Sequence, residues 1–112
     1  MELSSKQALE LWRAASVAAL GRKHPDLTAR QFSLLLQVYL TSRPHTVRGL
    51  ARELAMSKPA VSRALDTLGR LEFLRRKRDQ ADRRSVLVER TVKGSDFLRE
   101  FGDLAAETAR GL

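Results

Sequence analysis

The sequence predicts one mainly α domain with a small β-hairpin, its central helices flanked by an N-terminal and a C-terminal helix. Three observations lead there. Residues 49–68 hold two short helical patterns joined by a tight turn: Leu50, Ala51 and Leu54 form the inward face of the first, Met56 follows the turn, and Val61, Ala64, Leu65 and Leu68 form the inward face of the second. Directly after this pair the apolar period switches from helical to alternating. The length, 112 residues, suits a single domain with a modest core, small enough that dimerisation is an attractive source of further burial.

Each element follows from local chemistry. Residues 5–20 read as the first helix, with Ser5 able to cap it. Leu9, Trp12, Ala15, Ser16 and Ala19 recur at helical spacing, and Leu11, Ala18 and Leu20 broaden the apolar face. That face is either core or half of a subunit interface, where small residues permit close approach. A loop containing His24-Pro25-Asp26 follows. Thr28-Ala29-Arg30-Gln31 fits a capping box opening the second helix, whose expected buried stripe is Phe32, Leu35, Leu36, Tyr39 and Leu40. Ser42-Arg43-Pro44-His45 breaks it. Thr46 caps a third helix running to about Ala55. Ser57 caps a fourth, with Pro59 in the first turn, where no intrahelical N–H bond is lost.

Phe73-Leu74-Arg75-Arg76-Lys77-Arg78 can form a strand, Asp79-Gln80-Ala81-Asp82-Arg83-Arg84 a polar turn, and Ser85-Val86-Leu87-Val88-Glu89-Arg90 a second strand. Thr91 caps a last helix over residues 92–110, with Phe97, Leu98, Phe101, Leu104 and Ala105 at helical spacing. Helix, helix, helix, hairpin is the order of a winged helix. The helix-turn-helix covers residues 46–72, the wing 73–90, and the flanking helices 5–20 and 92–110 are the expected dimerisation elements within one domain spanning 1–112.

Charge points to the partner. The chain holds 21 Lys+Arg against 13 Asp+Glu. Residues 43–93 carry 14 basic and 6 acidic residues, a balance of +8, while the rest carries 7 of each. All the net charge therefore lies on the segment containing the helix pair and hairpin. A polyanion explains this asymmetry, because Lys and Arg displace counterions condensed on phosphates. An anionic membrane fits less well, since the cations sit on a patterned globular core rather than a long amphipathic helix. The outward residues of the fourth helix are Lys58, Pro59, Ser62, Arg63 and Asp66. Short polar groups beside one long guanidinium suit a DNA major groove; the competing reading is an ordinary helical hairpin with a solvated face.

Other classes find little support. There is no cysteine, hence no disulfide, thiolate metal site or thiol redox chemistry. No apolar run is long enough to span a bilayer and the N-terminus lacks a signal-peptide pattern, so a cytoplasmic, nucleoid-associated protein without a membrane partner is expected. His24 and His45 flank prolines with no second ligand at metal spacing, and are read as surface groups. No Gly-rich phosphate loop or nucleophile–base arrangement is present, so neither an enzyme, a cofactor nor a metal is expected.

Three segments together resemble the MarR family of winged-helix transcription regulators: Leu27-Thr28-Ala29-Arg30-Gln31-Phe32, the helix pair ending Val61-Ser62-Arg63-Ala64-Leu65-Asp66-Thr67-Leu68, and Arg76, Asp79 and Asp82-Arg83-Arg84 closing with Arg90-Thr91-Val92-Lys93-Gly94. The resemblance covers about Leu27 to Phe101. It implies a homodimer on a pseudo-palindromic operator, usually repressing transcription. It also implies that Ser57, Lys58, Pro59, Ser62 and Arg63 approach bases and adjacent phosphates, that Thr46 and the start of its helix touch the backbone, and that Arg83 or Arg84 reaches the minor groove. The chain departs from the family's pattern in three places. Glu72 stands where a Gly is common at the exit of the reading helix, so a left-handed cap is less comfortable and a different helix end is expected. Ala81 stands where many members carry a further wing Arg. Only residues 92–112 follow the wing, which weighs against the effector pocket of longer members and bears on their usual dimer.

The residues themselves suggest roles. The Ser57 cap leaves N–H groups at a positive helix end, suited to phosphate. Arg63 can reach a guanine edge; its alternatives are a phosphate contact or an internal pair with Asp66. Asp66 is expected to hold a nearby Arg in register. In the wing one Asp–Arg pair is expected to stiffen the turn, leaving the other Arg for the narrow minor groove; the alternative is a wholly internal salt-bridge cluster. Arg75, Arg76, Lys77 and Arg78 are read as phosphate neutralisers, with Arg76 and Arg78 assigned to the DNA surface. Leu9, Trp12, Phe97 and Phe101 are the candidate dimer contacts. The function expected is a sequence-specific regulator of transcription. The alternatives are a winged helix of plasmid or phage replication, partition or nucleoid organisation, and a winged helix that binds protein.

Overall fold

The computed structural model describes residues 2–112, in which five helices and three short strands follow the order α1 (Ser5–Leu20), α2 (Ala29–Leu40), β1 (His45–Thr46), α3 (Val47–Glu53), α4 (Lys58–Arg70), β2 (Leu74–Arg78), β3 (Val86–Arg90), α5 (Val92–Arg110). Two compact units result: residues 27–96, and the flanking segments up to Asp26 and from Phe97.

Side-chain caps set the helix starts. Ser4, one residue before the expected cap, opens α1: its Oγ accepts from Gln7 N–H at 3.1 Å and Gln7 Oε1 accepts from Ser4 N–H at 3.0 Å. Thr28 and Gln31 form the same reciprocal box on α2. Thr46 caps α3 through Gly49 N–H at 2.9 Å, Ser57 caps α4 through Ala60 N–H at 3.2 Å, and Thr91 Oγ1 accepts from Gly94 N–H at 3.0 Å in the first turn of α5.

The core of the 27–96 unit is Leu34, Leu35 and Val38 of α2, Leu50 and Ala51 of α3, Val61, Ala64, Leu65 and Leu68 of α4, and Phe73, Leu74 and Val88. The helix pair buries the faces expected of it, except that Leu54 is only half-buried. The α2 stripe is as expected at Leu35, which is fully buried, and is half-buried at Phe32, Leu36 and Tyr39, but it is shifted in phase: Leu34 and Val38 are fully buried as well, whereas Leu40 is 76% exposed. Residues 34–40 offer apolar side chains at six of seven positions, so periodicity alone leaves the phase of the stripe open. In α1 only Ala15 is buried; Leu9, Trp12, Val17 and Leu20 are exposed.

The hairpin pairs Leu74–Arg78 with Val86–Arg90, antiparallel, with Arg76 opposite Val88. A third strand, unforeseen in the sequence, joins it on the far side of β3, giving the order β1-β3-β2. It has only two residues, too few to show an alternating pattern, and pairs non-locally: His45 with Val88 and Thr46 with Leu87. This strand draws His45 inward. Its ring is 5% exposed, with Nε2 3.3 Å from both Thr41 Oγ1 and Thr41 O. His24 is also no free surface group: it lies edge-on to Phe97, ring centroids 5.3 Å apart, with Glu100 at 3.4 Å.

The end of α4 departs from expectation in an instructive way. Despite its side chain, Glu72 adopts the left-handed region at φ 63°. Glu72 N–H donates to Gly69 O at 3.0 Å and Phe73 N–H to Leu68 O at 2.9 Å, the paired bonds of a Schellman motif. Ala55 at φ 52° ends α3 the same way, with Met56 N–H on Ala51 O. Burial of Phe73 immediately after the cap holds the turn in place. E72G releases about 1–2 kcal/mol of left-handed strain and loses about 0.4–1 kcal/mol through greater freedom of the unfolded chain. A net gain of about 0.5–1 kcal/mol is expected, read as a higher denaturant midpoint at unchanged slope; a lower midpoint would contradict it.

Candidate nucleic-acid interface

Helix α4 divides its side chains cleanly. Val61, Ala64, Leu65 and Leu68 face the core, while Pro59, Arg63, Asp66 and Arg70 form an exposed stripe at helical spacing. Lys58 and Ser62, one turn apart, border this stripe and line a cleft of about 400 Å³ together with Thr46, Val47 and Arg48 of the α3 start and Arg76, Asp82, Arg84, Ser85 and Val86 of the wing. Lys58 and Arg84, 26 positions apart in sequence, thus meet in one concavity of the 27–96 unit.

The free cations matter more than the paired ones. Among the described residues the side-chain charges of Arg48, Lys58, Arg63, Arg83 and Arg84 have no hydrogen-bonding or ion-pair partner. All five are exposed. The strand cations are engaged internally: Arg75 Nε meets Glu89 at 3.1 Å, Arg76 Nη2 meets Asp66 Oδ1 at 2.5 Å, and Arg78 Nη1 donates to Arg83 O at 2.8 Å. Asp66 therefore does hold an arginine, and Arg63, three residues before it in the helix, is left open.

The wing turn is stiffened by carboxylates on backbone N–H groups rather than by the expected Asp–Arg pair. Asp79 Oδ1 accepts from Ala81 N–H at 2.9 Å and Asp82 Oδ1 from Arg84 N–H at 3.1 Å. Asp79 N–H donates to Ser85 O and Ser85 N–H to Asp82 O. With Arg78 on Arg83 O, the tip is tied at five points, while the Arg83 and Arg84 side chains project unused. Short acidic side chains that bond the backbone two residues on are the turn chemistry of Asp.

The sequence profile of the MarR family matches residues 27–86, the segment that contains this whole arrangement. The chain belongs to the MarR family. No curated protein sequence matches it. Solved structures share its fold at low identity. A single-residue mutant of Staphylococcus aureus MepR is 23% identical with a TM-score of 0.74, covering 93% of this chain and 72% of MepR. The S. aureus MepR–DNA complex is 21% identical with a TM-score of 0.67, covering 91% and 75%. The transcriptional regulator Tm0710 from Thermotoga maritima is 24% identical with a TM-score of 0.65, covering 95% and 66%. The fold is the family's winged helix-turn-helix, here with a three-stranded sheet.

Within this MarR-family frame the expected residues divide into groups. Thr46, Lys58, Ser62, Arg76 and Arg84 share the cleft. Pro59 and Arg63 lie on the exposed stripe of α4. Ser57 serves as the cap, and Arg78 braces the wing from within. Arg48 and Ser85 join the cleft without having been singled out. Arg48 carried a usable signal, a cation two residues after the Thr46 cap. In the flanking unit Leu9 is 66% and Trp12 75% exposed, while Phe97 and Phe101 are half-buried. No helix among the described residues is long and apolar enough to cross a membrane.

Proposed function

We propose that this MarR-family regulator binds double-stranded DNA sequence-specifically, as a homodimer on a pseudo-palindromic site on the nucleoid, and represses transcription there. The observation that carries the reading is the cleft joining Lys58 and Ser62 of α4 to Arg84 of the wing, bordered by unpaired Arg48 and Arg63. Arg63 reads a guanine edge from the major groove and Arg84 enters the adjacent minor groove, where narrow A·T-rich segments attract arginine. Thr46 and the α3 start meet the phosphate backbone. The MepR and AbfR structures described as DNA complexes support the same use of the fold. Genome-wide footprinting tests this: a few palindromic promoter sites are expected, and diffuse coverage would overturn it.

The homodimer reading rests on α1. Leu9, Trp12 and Leu20, at helical spacing with Ser16 between them, leave an apolar stripe exposed that a second copy would cover. Twofold pairing would set two reading helices about 34 Å apart, one DNA turn. Light scattering is expected to give the mass of a dimer; a monomer at high micromolar concentration would rule it out. With about four cations engaged per protomer, roughly eight phosphates are neutralised, and log K should fall against log salt with a slope of about −7. A nearly flat salt titration would defeat the electrostatic account.

A further inference from the structure

Asp66 poses a physical problem. It lies on the exposed stripe of α4 between Arg63 and Arg70, where a carboxylate repels phosphate. Its Oδ1 accepts from Arg76 Nη2 at 2.5 Å, across two different elements, and both side chains remain partly exposed at 50% and 40%. Arg76 sits mid-strand in β2 and lines the cleft with Lys58, Ser62 and Arg84. Two residues on along the same strand face, Arg78 holds the carbonyl of Arg83 at the wing tip. The reading helix is therefore linked to the tip by two successive guanidinium contacts from alternate residues of one strand. Arg75 takes no part, because it faces Glu89 on the opposite side of the sheet.

We propose that Asp66 is a positioning residue: through Arg76 it sets the distance and angle between α4 and the wing, so that Arg63 and Arg84 engage their two grooves in register. The proposal rests on the DNA-binding reading above. A rival account makes Arg76 a simple phosphate neutraliser and Asp66 a bystander. Both accounts expect tighter non-specific binding when the carboxylate is removed, because repulsion falls and Arg76 is released. Only the positioning account expects discrimination to fall at the same time.

The experiment uses the full chain, a duplex enriched by the wild-type protein from a randomised library, and a scrambled duplex of equal length. D66N is expected to bind the scrambled duplex several-fold tighter. Its salt slope should steepen by about 2 per dimer, one phosphate for each released Arg76. Its preference for the enriched duplex should drop about tenfold, the loss of roughly one base-edge contact. R76A should lose the same preference without gaining non-specific affinity. D66E keeps a carboxylate within reach of Arg76 and should retain the preference. A D66N preference within twofold of wild type, or D66E falling as far as D66N, would overturn the positioning role while leaving the DNA-binding function standing. Failure of the wild-type chain to enrich any duplex would overturn that function and the positioning role together.

Discussion

R84A is expected to weaken binding of the enriched duplex at least about thirtyfold while the protein melts as wild type does. Arg84 projects from the wing with no side-chain partner. Its hydrogen bond is made by the backbone, N–H to Asp82 Oδ1 at 3.1 Å, which alanine keeps. Folding should therefore not register the change. Binding should, because a groove-inserted arginine contributes about 1–3 kcal/mol per protomer and a dimer loses it twice. The salt slope should become shallower by about 2, since two phosphate-level contacts vanish. Arg30 supplies the control: it is exposed, carries the same charge and lies outside the cleft lining. R30A removes equal net charge and should change affinity less than threefold. Fluorescence anisotropy with matched melting curves reads both variants. If R84A and R30A weaken binding equally, overall charge, not the wing, drives association.

G94A is expected to be strongly destabilising, by about 4 kcal/mol, lowering Tm by roughly 20 °C. A Cβ on Gly94 would lie 2.1 Å from the Tyr39 hydroxyl oxygen and 2.3 Å from the backbone carbonyl oxygen of Phe73. Neither can retreat cheaply. The Tyr39 hydroxyl donates toward Phe73 O at 2.8 Å and Thr91 O at 3.0 Å, and accepts from Thr91 N–H at 2.9 Å. Arg90 locks the same corner. Its Nε donates to Val38 O and its Nη2 to Thr41 O, both at 2.9 Å, closing the carbonyl end of α2, and the guanidinium lies 5.8 Å from the centre of the Tyr39 ring. Overpacking accounts for about 3 kcal/mol, and a broken bond at a half-buried hydroxyl for about 1 more. Y39F alone removes the hydroxyl without a clash and should cost about 1–3 kcal/mol. A G94A melting point within a few degrees of wild type would show that this corner yields, contrary to its bonding.

Local chemistry explains what was readable in the sequence. Thr28, Thr46, Ser57 and Thr91 all cap as expected, because a cap is a matter of three or four consecutive residues. The inward face of α4 follows from one amphipathic period. What escaped depends on distant partners. Nothing near His45 announces a strand, since its ladder partner is Val88. The position of Glu72 in left-handed space is imposed by burial of Phe73, which overrides local preference. Arg76 and Arg78 look like phosphate ligands in a basic run, and only the fold shows Asp66 and the Arg83 carbonyl within reach. The cleft could be anticipated in part for the same reason: Lys58 and Arg84 belonged to recognisable motifs, and Arg48 was signalled only by its place two residues after the Thr46 cap.

The five ties within the wing turn have a kinetic corollary. A loop that is already shaped forfeits little motion on docking, so the proposed insertion of Arg84 would require no prior search through backbone conformations. Encounter rates should then be similar for good and poor sites, set by diffusion and charge. Differences between them should surface in how long each complex survives.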